Sequence, residues 1–228
     1  MTAVVPPSRP APSAPAVERL TRTEDGESLG TLLWRAGEGW RMISNAVLGG
    51  GIGERAWVLN AQVAHGYRRT DPDRHLAELA RDAGAHGPGV GLMTAADVRA
   101  YGSGRDGGVT AVATAGLGVR GWTADWTADW TAVAATAVRP GTVNIVVAVP
   151  VALTDAALVN TVMTATEAKV QALVDAGLDC SGTPTDAVCV AVRRPRAGEE
   201  AHAFGGPRSL WGSRVARAVH RAVTAAIP

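Results

Sequence analysis

Residues 141–151 read GTVNIVVAVPV, residues 154–177 read TDAALVNTVMTATEAKVQALVDAG, and residues 186–192 read DAVCVAV. The two outer runs are short and almost wholly β-branched or small, the pattern of strands buried on both faces. The middle run opens on Thr154-Asp155, a good helix cap, and stops at Gly177, so it predicts a helix over 155–175. Its apolar stripe is expected to be Val159, Val162, Met163, Thr166, Val170, Leu173 and Val174. Strand, long helix, strand is a βαβ unit with parallel strands and a right-handed crossover. The chain is therefore read as α/β: a single domain built on a mixed β-sheet, with a C-terminal βαβ unit and flanking helices. One consequence is functional. Parallel strands begin at the same sheet edge, which brings Thr142 and Asn144 near Ser181, Thr183, Thr185 and Asp186. That polar set beside a helix C-terminus is either a site or a group of hydroxyls that only bond turn backbone.

Outward from this unit, 228 residues with 46% hydrophobic content suffice for one sizeable core. Residues 1–17 are rich in Pro and Ala and read as a disordered leader, with the domain over 18–228. They lack the basic start and apolar centre of a signal peptide. No apolar run approaches the ~20 residues of a membrane span, and a net charge of +1 gives no field toward nucleic acid. The two cysteines, Cys180 and Cys189, form no Cys-x-x-Cys pair, and Cys189 lies inside an apolar strand. They read as reduced thiols of a cytoplasmic protein. The histidines His65, His75, His86, His202 and His220 show no local ligand spacing, so no metal is expected. A homo-oligomer is left open.

The remaining elements follow from local pattern. WRMIS and RAWVLNAQV read as strands, the second with Trp57, Leu59 and Ala61 alternating against Val58, Asn60 and Gln62. Asp71-Pro72 opens a helix striped by Leu76, Leu79 and Ala83 and closed by Gly84. VGLM is a short strand, TAADVRAYG a short Thr-capped helix, and the run from Val109 another strand. Ser209 starts a terminal helix to about residue 226, with Arg214, Arg217 and Arg221 on a solvated face.

ISNAVLGGGIGE (residues 43–54) resembles a phosphate loop but has no Lys after it and no helix to follow. Glycines between two strands mark a hairpin, a bulge or close backbone approach to a ligand. The Thr-Ala-Asp-Trp repeat puts Trp122, Trp126 and Trp130 four residues apart. It is either an aromatic stripe that grips a flat ligand or a surface loop, and strict fours drift around a helix. Glu167 and Lys169 fall on opposite shoulders of the helix stripe. Lys169, flanked by Ala165 and Ala172, either snorkels or reaches over the sheet edge to fix a carboxylate. His65 follows a strand and precedes Gly66, so it is a rim base or an exposed loop residue.

Taken together, WRMISNAVLGGGIGERAWVLNAQV, GPGVGLMTAADV, ATAGLG, the GTVNI…LTDAALV…TATEAK…GTPTDAV series and FGGPRSLWGSRVARAVHRAV resemble the adenosylcobinamide amidohydrolase family. They cover nearly the whole chain after the leader. The resemblance implies hydrolysis of the amide joining aminopropanol to a corrin propionate, giving adenosylcobyric acid and 1-amino-2-propanol, in cobinamide salvage. It implies a corrinoid substrate and no separate cofactor. The family turn Gly-Thr-Gly-Thr-x-Thr-Asp is here Cys-Ser-Gly-Thr-Pro-Thr-Asp (180–186). Amide hydrolysis needs a nucleophile, an oxyanion stabiliser and an acid for the leaving amine. Asp186 is placed as base or orienter acting on Thr185 or a water, with Glu167 and Lys169 in the polar ring. Ser44, Asn45, Gly49, Gly50, Gly51, Asn60, His65, Asn144, Ser181 and Thr183 are the substrate-binding set. The alternatives are a corrinoid-binding protein without hydrolysis and a hydrolase of another amide.

Overall fold

The computed structural model describes residues 15–126 and 141–228. The expected leader lies in large part, and Trp130 wholly, outside these residues. Strands are β1 Val17–Glu24, β2 Glu27–Arg35, β3 Trp40–Ser44, β4 Gly51–Glu54, β5 Trp57–Gln62, β6 Gly89–Thr94, β7 Gly102–Asp106, β8 Val109–Gly116, β9 Thr142–Val149 and β10 Ala187–Arg193. Helices are α1 Pro72–Asp82, α2 Asp155–Asp175 and α3 Leu210–Ala226.

The mixed sheet is divided in two. One sheet has the order β1-β2-β5-β6 and the other β4-β3-β10-β9-β8-β7. They stack face to face between helices. Leu33, Leu59 and Ala61 of the first sheet pack with Leu76 and Ala80 of α1. Trp34, Val58 and Val90 meet Met42, Cys189 and Ala191 between the sheets. The outer face of the second sheet carries α2 and α3, through residues such as Ile145, Val190, Leu158 and Val219. The order of layers is helix, sheet, sheet, helices. Both parallel pairs come from βαβ units: β9 and β10 joined through α2, and β5 and β6 joined through α1.

α2 has the expected bounds, but of the expected stripe only Leu173 is fully buried and Val162 packs against the core. Ala157, Leu158, Thr161, Ala165, Ala168, Ala172 and Leu173 are buried, while Val159, Met163 and Val174 are exposed. The helix is apolar nearly all round, so period alone does not choose a face. The buried face takes many of the smaller side chains: Ala157 and Thr161 meet Gly205 before α3, and Ala165, Ala168 and Ala172 lie in the core shared with the second sheet and α3.

Other expectations change too. TAADVRAYG is not a helix: Thr94 ends β6, and only Val98–Ala100 turns, as a 3-10 element capped by Asp97. Asp71 makes no side-chain cap on α1, because its carboxylate is held by Arg69. The arginine face of α3 is solvated as expected, with Arg217 and Arg221 exposed, but its side chains are engaged. Arg217 pairs with Asp106, and Arg214 and Arg221 donate to the Gly107 and Arg105 carbonyls of the β7–β8 hairpin.

Candidate active site

Asp186 ends the turn after α2, at the edge where β9 and β10 begin. Four donors converge on its carboxylate. Val143 N–H (2.8 Å) and the Thr183 hydroxyl donate to Oδ1. Lys169 Nζ and Thr183 N–H (3.2 Å) donate to Oδ2. Lys169 is 6% exposed. It reaches Asp186 from the buried face of α2, beside Ala165, Ala168 and Ala172 of the shared core. A buried ammonium needs such a partner. Gly182 makes room for the pair. Its φ is +153°, and a side chain there would overlap both Asp186 Oδ2 and Lys169 Nζ.

Hydroxyls border the carboxylate. Thr142 and Thr185 hydroxyl oxygens lie 2.6 Å apart, and Thr185 Oγ1 donates to the Gly141 carbonyl (3.0 Å). Thr142 is buried, whereas Thr185 is exposed. From the other flank, Asn45 Nδ2 donates to the Asp186 carbonyl (3.0 Å) and its Oδ1 accepts from Val188 N–H (2.8 Å). The amide thus continues the β3–β10 ladder past its Ser44–Cys189 rung. A cleft of about 320 Å³ opens here, lined among others by Asn45, Val47, Met93, Thr185 and Asp186.

Of the residues named from sequence, Thr183, Thr185, Asp186, Lys169 and Asn45 lie together here. The rest of the predicted set separates. Ser44 is buried, donating to the Val188 carbonyl (2.9 Å) and accepting from Ala46 N–H (3.1 Å). Asn144 Nδ2 donates to Asn60 Oδ1 (2.9 Å) and the Met93 carbonyl (3.1 Å), and Asn60 Nδ2 donates to Thr114 (3.0 Å). This buried ladder runs between the sheets behind the cleft, so both asparagines support the site from within. Glu167 is exposed on α2, two residues and about 200° around the helix from Lys169. His65 is exposed in the loop after β5. Ser181 bonds Thr123 and the Gly121 carbonyl.

The glycine run joins β3 to β4 as a hairpin. Gly49, at φ +71°, has the Gly89 carbonyl where its side chain would be. Arg55 donates twice to the Gly49 carbonyl (3.2 and 3.1 Å), and Gly91 N–H donates to the Leu48 carbonyl (3.0 Å). The close approach that Gly49 permits is to this chain's own β6. Gly50 likewise abuts the Ala46 carbonyl, and only Gly51 faces open space.

Cys189 also lies next to Ser44, but burial pushes its thiol up to about 12, so it stays protonated and is no nucleophile. Among the described residues, no group of three or more His, Cys, Asp or Glu side chains could hold a metal ion. Among these residues, too, no helix is long and apolar enough to cross a membrane. Val143 escaped notice because its contribution is a backbone N–H, which no residue type signals. Gly182 stood in the turn but only its contact with Lys169 explains it.

Fold and site define a four-layer α/β protein with a hydroxyl, carboxylate and ammonium cluster opening on a cleft at a strand edge. The chain belongs to the adenosylcobinamide amidohydrolase family, which it matches over residues 14–228. A relative from Methanosarcina mazei described as adenosylcobinamide amidohydrolase is 27% identical over 187 residues, spanning 79% of this chain and 86% of its own. The crystal structure of the PH0078 protein from Pyrococcus horikoshii OT3 aligns with 92% of this chain and 83% of its own, with a TM-score of 0.49 and 12% identity.

Proposed function

We propose that the protein hydrolyses the secondary amide between aminopropanol and the corrin propionate of adenosylcobinamide. Water is consumed, the C–N bond breaks, and adenosylcobyric acid and 1-amino-2-propanol leave, returning scavenged cobinamide to cobalamin synthesis in the cytoplasm. Water is the only co-reactant and no resident cofactor takes part. The observation that carries this reading is the convergence of Thr185, Asp186 and Asn45 on one cleft, with Lys169 fixed behind them. Thr185 is the exposed residue of the cluster, its hydroxyl held by Thr142 and the Gly141 carbonyl, and it is the group that meets the scissile carbonyl, as nucleophile or by orienting water. Asp186 accepts from four donors, so it acts as orienter rather than free base, and Lys169 supplies positive charge near the developing oxyanion.

Incubation with adenosylcobinamide and mass analysis for adenosylcobyric acid tests the reaction. Thr185→Val should lower turnover at least ~100-fold, the lower range for losing such a group, while substrate still binds. Near-normal turnover in that variant would remove Thr185 from the chemistry. The saturation of Asp186 favours one second reading, a corrinoid-binding protein without hydrolysis. Binding without product is its signature.

A further inference from the structure

The Trp-Thr-Ala-Asp repeat begins against the Asp186 turn. Gly121 N–H donates to the Gly182 carbonyl (3.0 Å), and Ser181 N–H donates to the Gly121 carbonyl (3.0 Å). Thr123 N–H donates to Ser181 Oγ (2.9 Å), and the two hydroxyls meet at 2.8 Å. Trp122 Nε1 donates to Asp179 Oδ1 (2.9 Å). These bonds stitch residues 121–123 to residues 179–182. Gly182, their partner, is the residue whose backbone lies against Lys169 and Asp186. The Trp126 ring folds back over Gly121, where an added Cβ would meet it at 3.2 Å. Trp126 is thus linked to the ion pair through Gly121 and Gly182.

Both indoles nevertheless face solvent, Trp122 at 40% and Trp126 at 42% exposure. Large aromatic surface held in water beside the turn that carries Asp186 marks a place for a ligand to cover. The Trp122 N–H is already committed to Asp179, which fixes the ring at the surface.

We propose that Trp122 and Trp126 form the wall on which the flat conjugated ring of the corrinoid rests, and so determine specificity. The inference rests on the amidase reading. In that substrate only two methylene groups separate the scissile carbonyl from the macrocycle. A carbonyl placed at Thr185 therefore carries the ring against the surface next to the Asp186 turn. An indole offers a broad apolar face at low entropic cost.

Steady-state kinetics with adenosylcobinamide tests the wall, with circular dichroism confirming that each variant is folded. Trp122→Ala and Trp126→Ala should each raise KM, by about tenfold for a stacking contact of order 1.4 kcal/mol, with kcat little changed. Trp126→Phe keeps a ring and should recover most of the affinity. Thr185→Val shows the opposite split, a fall in kcat. Unchanged KM in both folded alanine variants overturns the wall while leaving the hydrolase reading intact. If the wild type releases no adenosylcobyric acid, the hydrolase reading fails, and quenching of indole fluorescence by added adenosylcobinamide then decides. Weaker binding in the two alanine variants supports the wall, and equal or absent binding overturns it.

Discussion

Four donors on one carboxylate make Asp186 the best-anchored side chain of the site, and its anchorage has a price in tolerance. Asp186→Asn replaces an acceptor with a group that must also donate, and it leaves Lys169 without a counter-charge. Removing one member of a buried pair costs about 3 kcal/mol or more, so urea unfolding should show that loss before any assay is run. Turnover of the variant is meaningful only where it remains folded. Asp186→Leu combined with Lys169→Met removes both charges and should lose less stability than Asp186→Asn alone. A double variant as unstable as the single one would mean that the carboxylate's backbone bonds, not the ion pair, hold the turn. Gly182→Ala should act on the same pair from its other side. Its φ and its contact with Lys169 and Asp186 both oppose a methyl group. Lower thermal stability and weaker hydrolysis should therefore appear together.

Among the elements, α2 separates what sequence reveals from what it conceals. Its cap, length and stop were legible because Thr154, whose hydroxyl accepts from Ala157 N–H, and Gly177 act locally. Its buried face was not, because Val and Met compete with Ala and Leu all round the helix. Met163→Glu should accordingly change stability by less than about 0.5 kcal/mol, whereas Leu158→Ala should cost about 2–5 kcal/mol. The reverse order in denaturant midpoints would restore the original stripe. Strand β7, GSGRD, was invisible for a related reason. Gly102 and Gly104 lie under α3, where side chains would strike the Ala222 and Ala218 carbonyls, and composition does not show that packing. The polar edge of the βαβ unit was legible because parallel register is geometric: Ala187 pairs with Asn144, as the topology requires. At α1, buried His75 accepts or donates at Nδ1 with Tyr67 (3.0 Å) and approaches Glu24 (3.4 Å). Burial holds its proton affinity below the ordinary 6.5, against the opposing pull of Glu24, with Arg69, Arg22 and Glu78 also nearby. The unfolded chain therefore takes up this proton first as pH falls. His75's contribution is fully present above 6.5 and is lost as pH drops through 6.5 toward the folded value. Chemical denaturation at several pH values should show that slope in the wild type and a flatter one in His75→Gln.

At the scale of the whole molecule, the two sheets meet through a mainly apolar seam in which Asn60, Asn144 and Thr114 form a buried polar ladder. A ladder of this kind fixes which strand faces which, since a slip would strand buried amides without partners. It also ties the sheets to the site. Asn144 holds the Met93 carbonyl at the cleft wall, and its neighbour Val143 donates to Asp186. The orientation of the Asn144 amide is set by its two acceptors, Asn60 Oδ1 and the Met93 carbonyl, which both require the Nδ2 end. Asn144→Ala leaves Asn60 Oδ1 unpaired in the interior and frees the Met93 carbonyl, a loss of about 2 kcal/mol or more. For a chain of this size that corresponds to a fall of roughly 6 °C in Tm. Asn60→Ala breaks the same link from the other sheet. If the ladder acts as one unit, the double variant should lose clearly less than the sum of the single losses. Additive losses would instead mean that each amide stabilises only its own sheet.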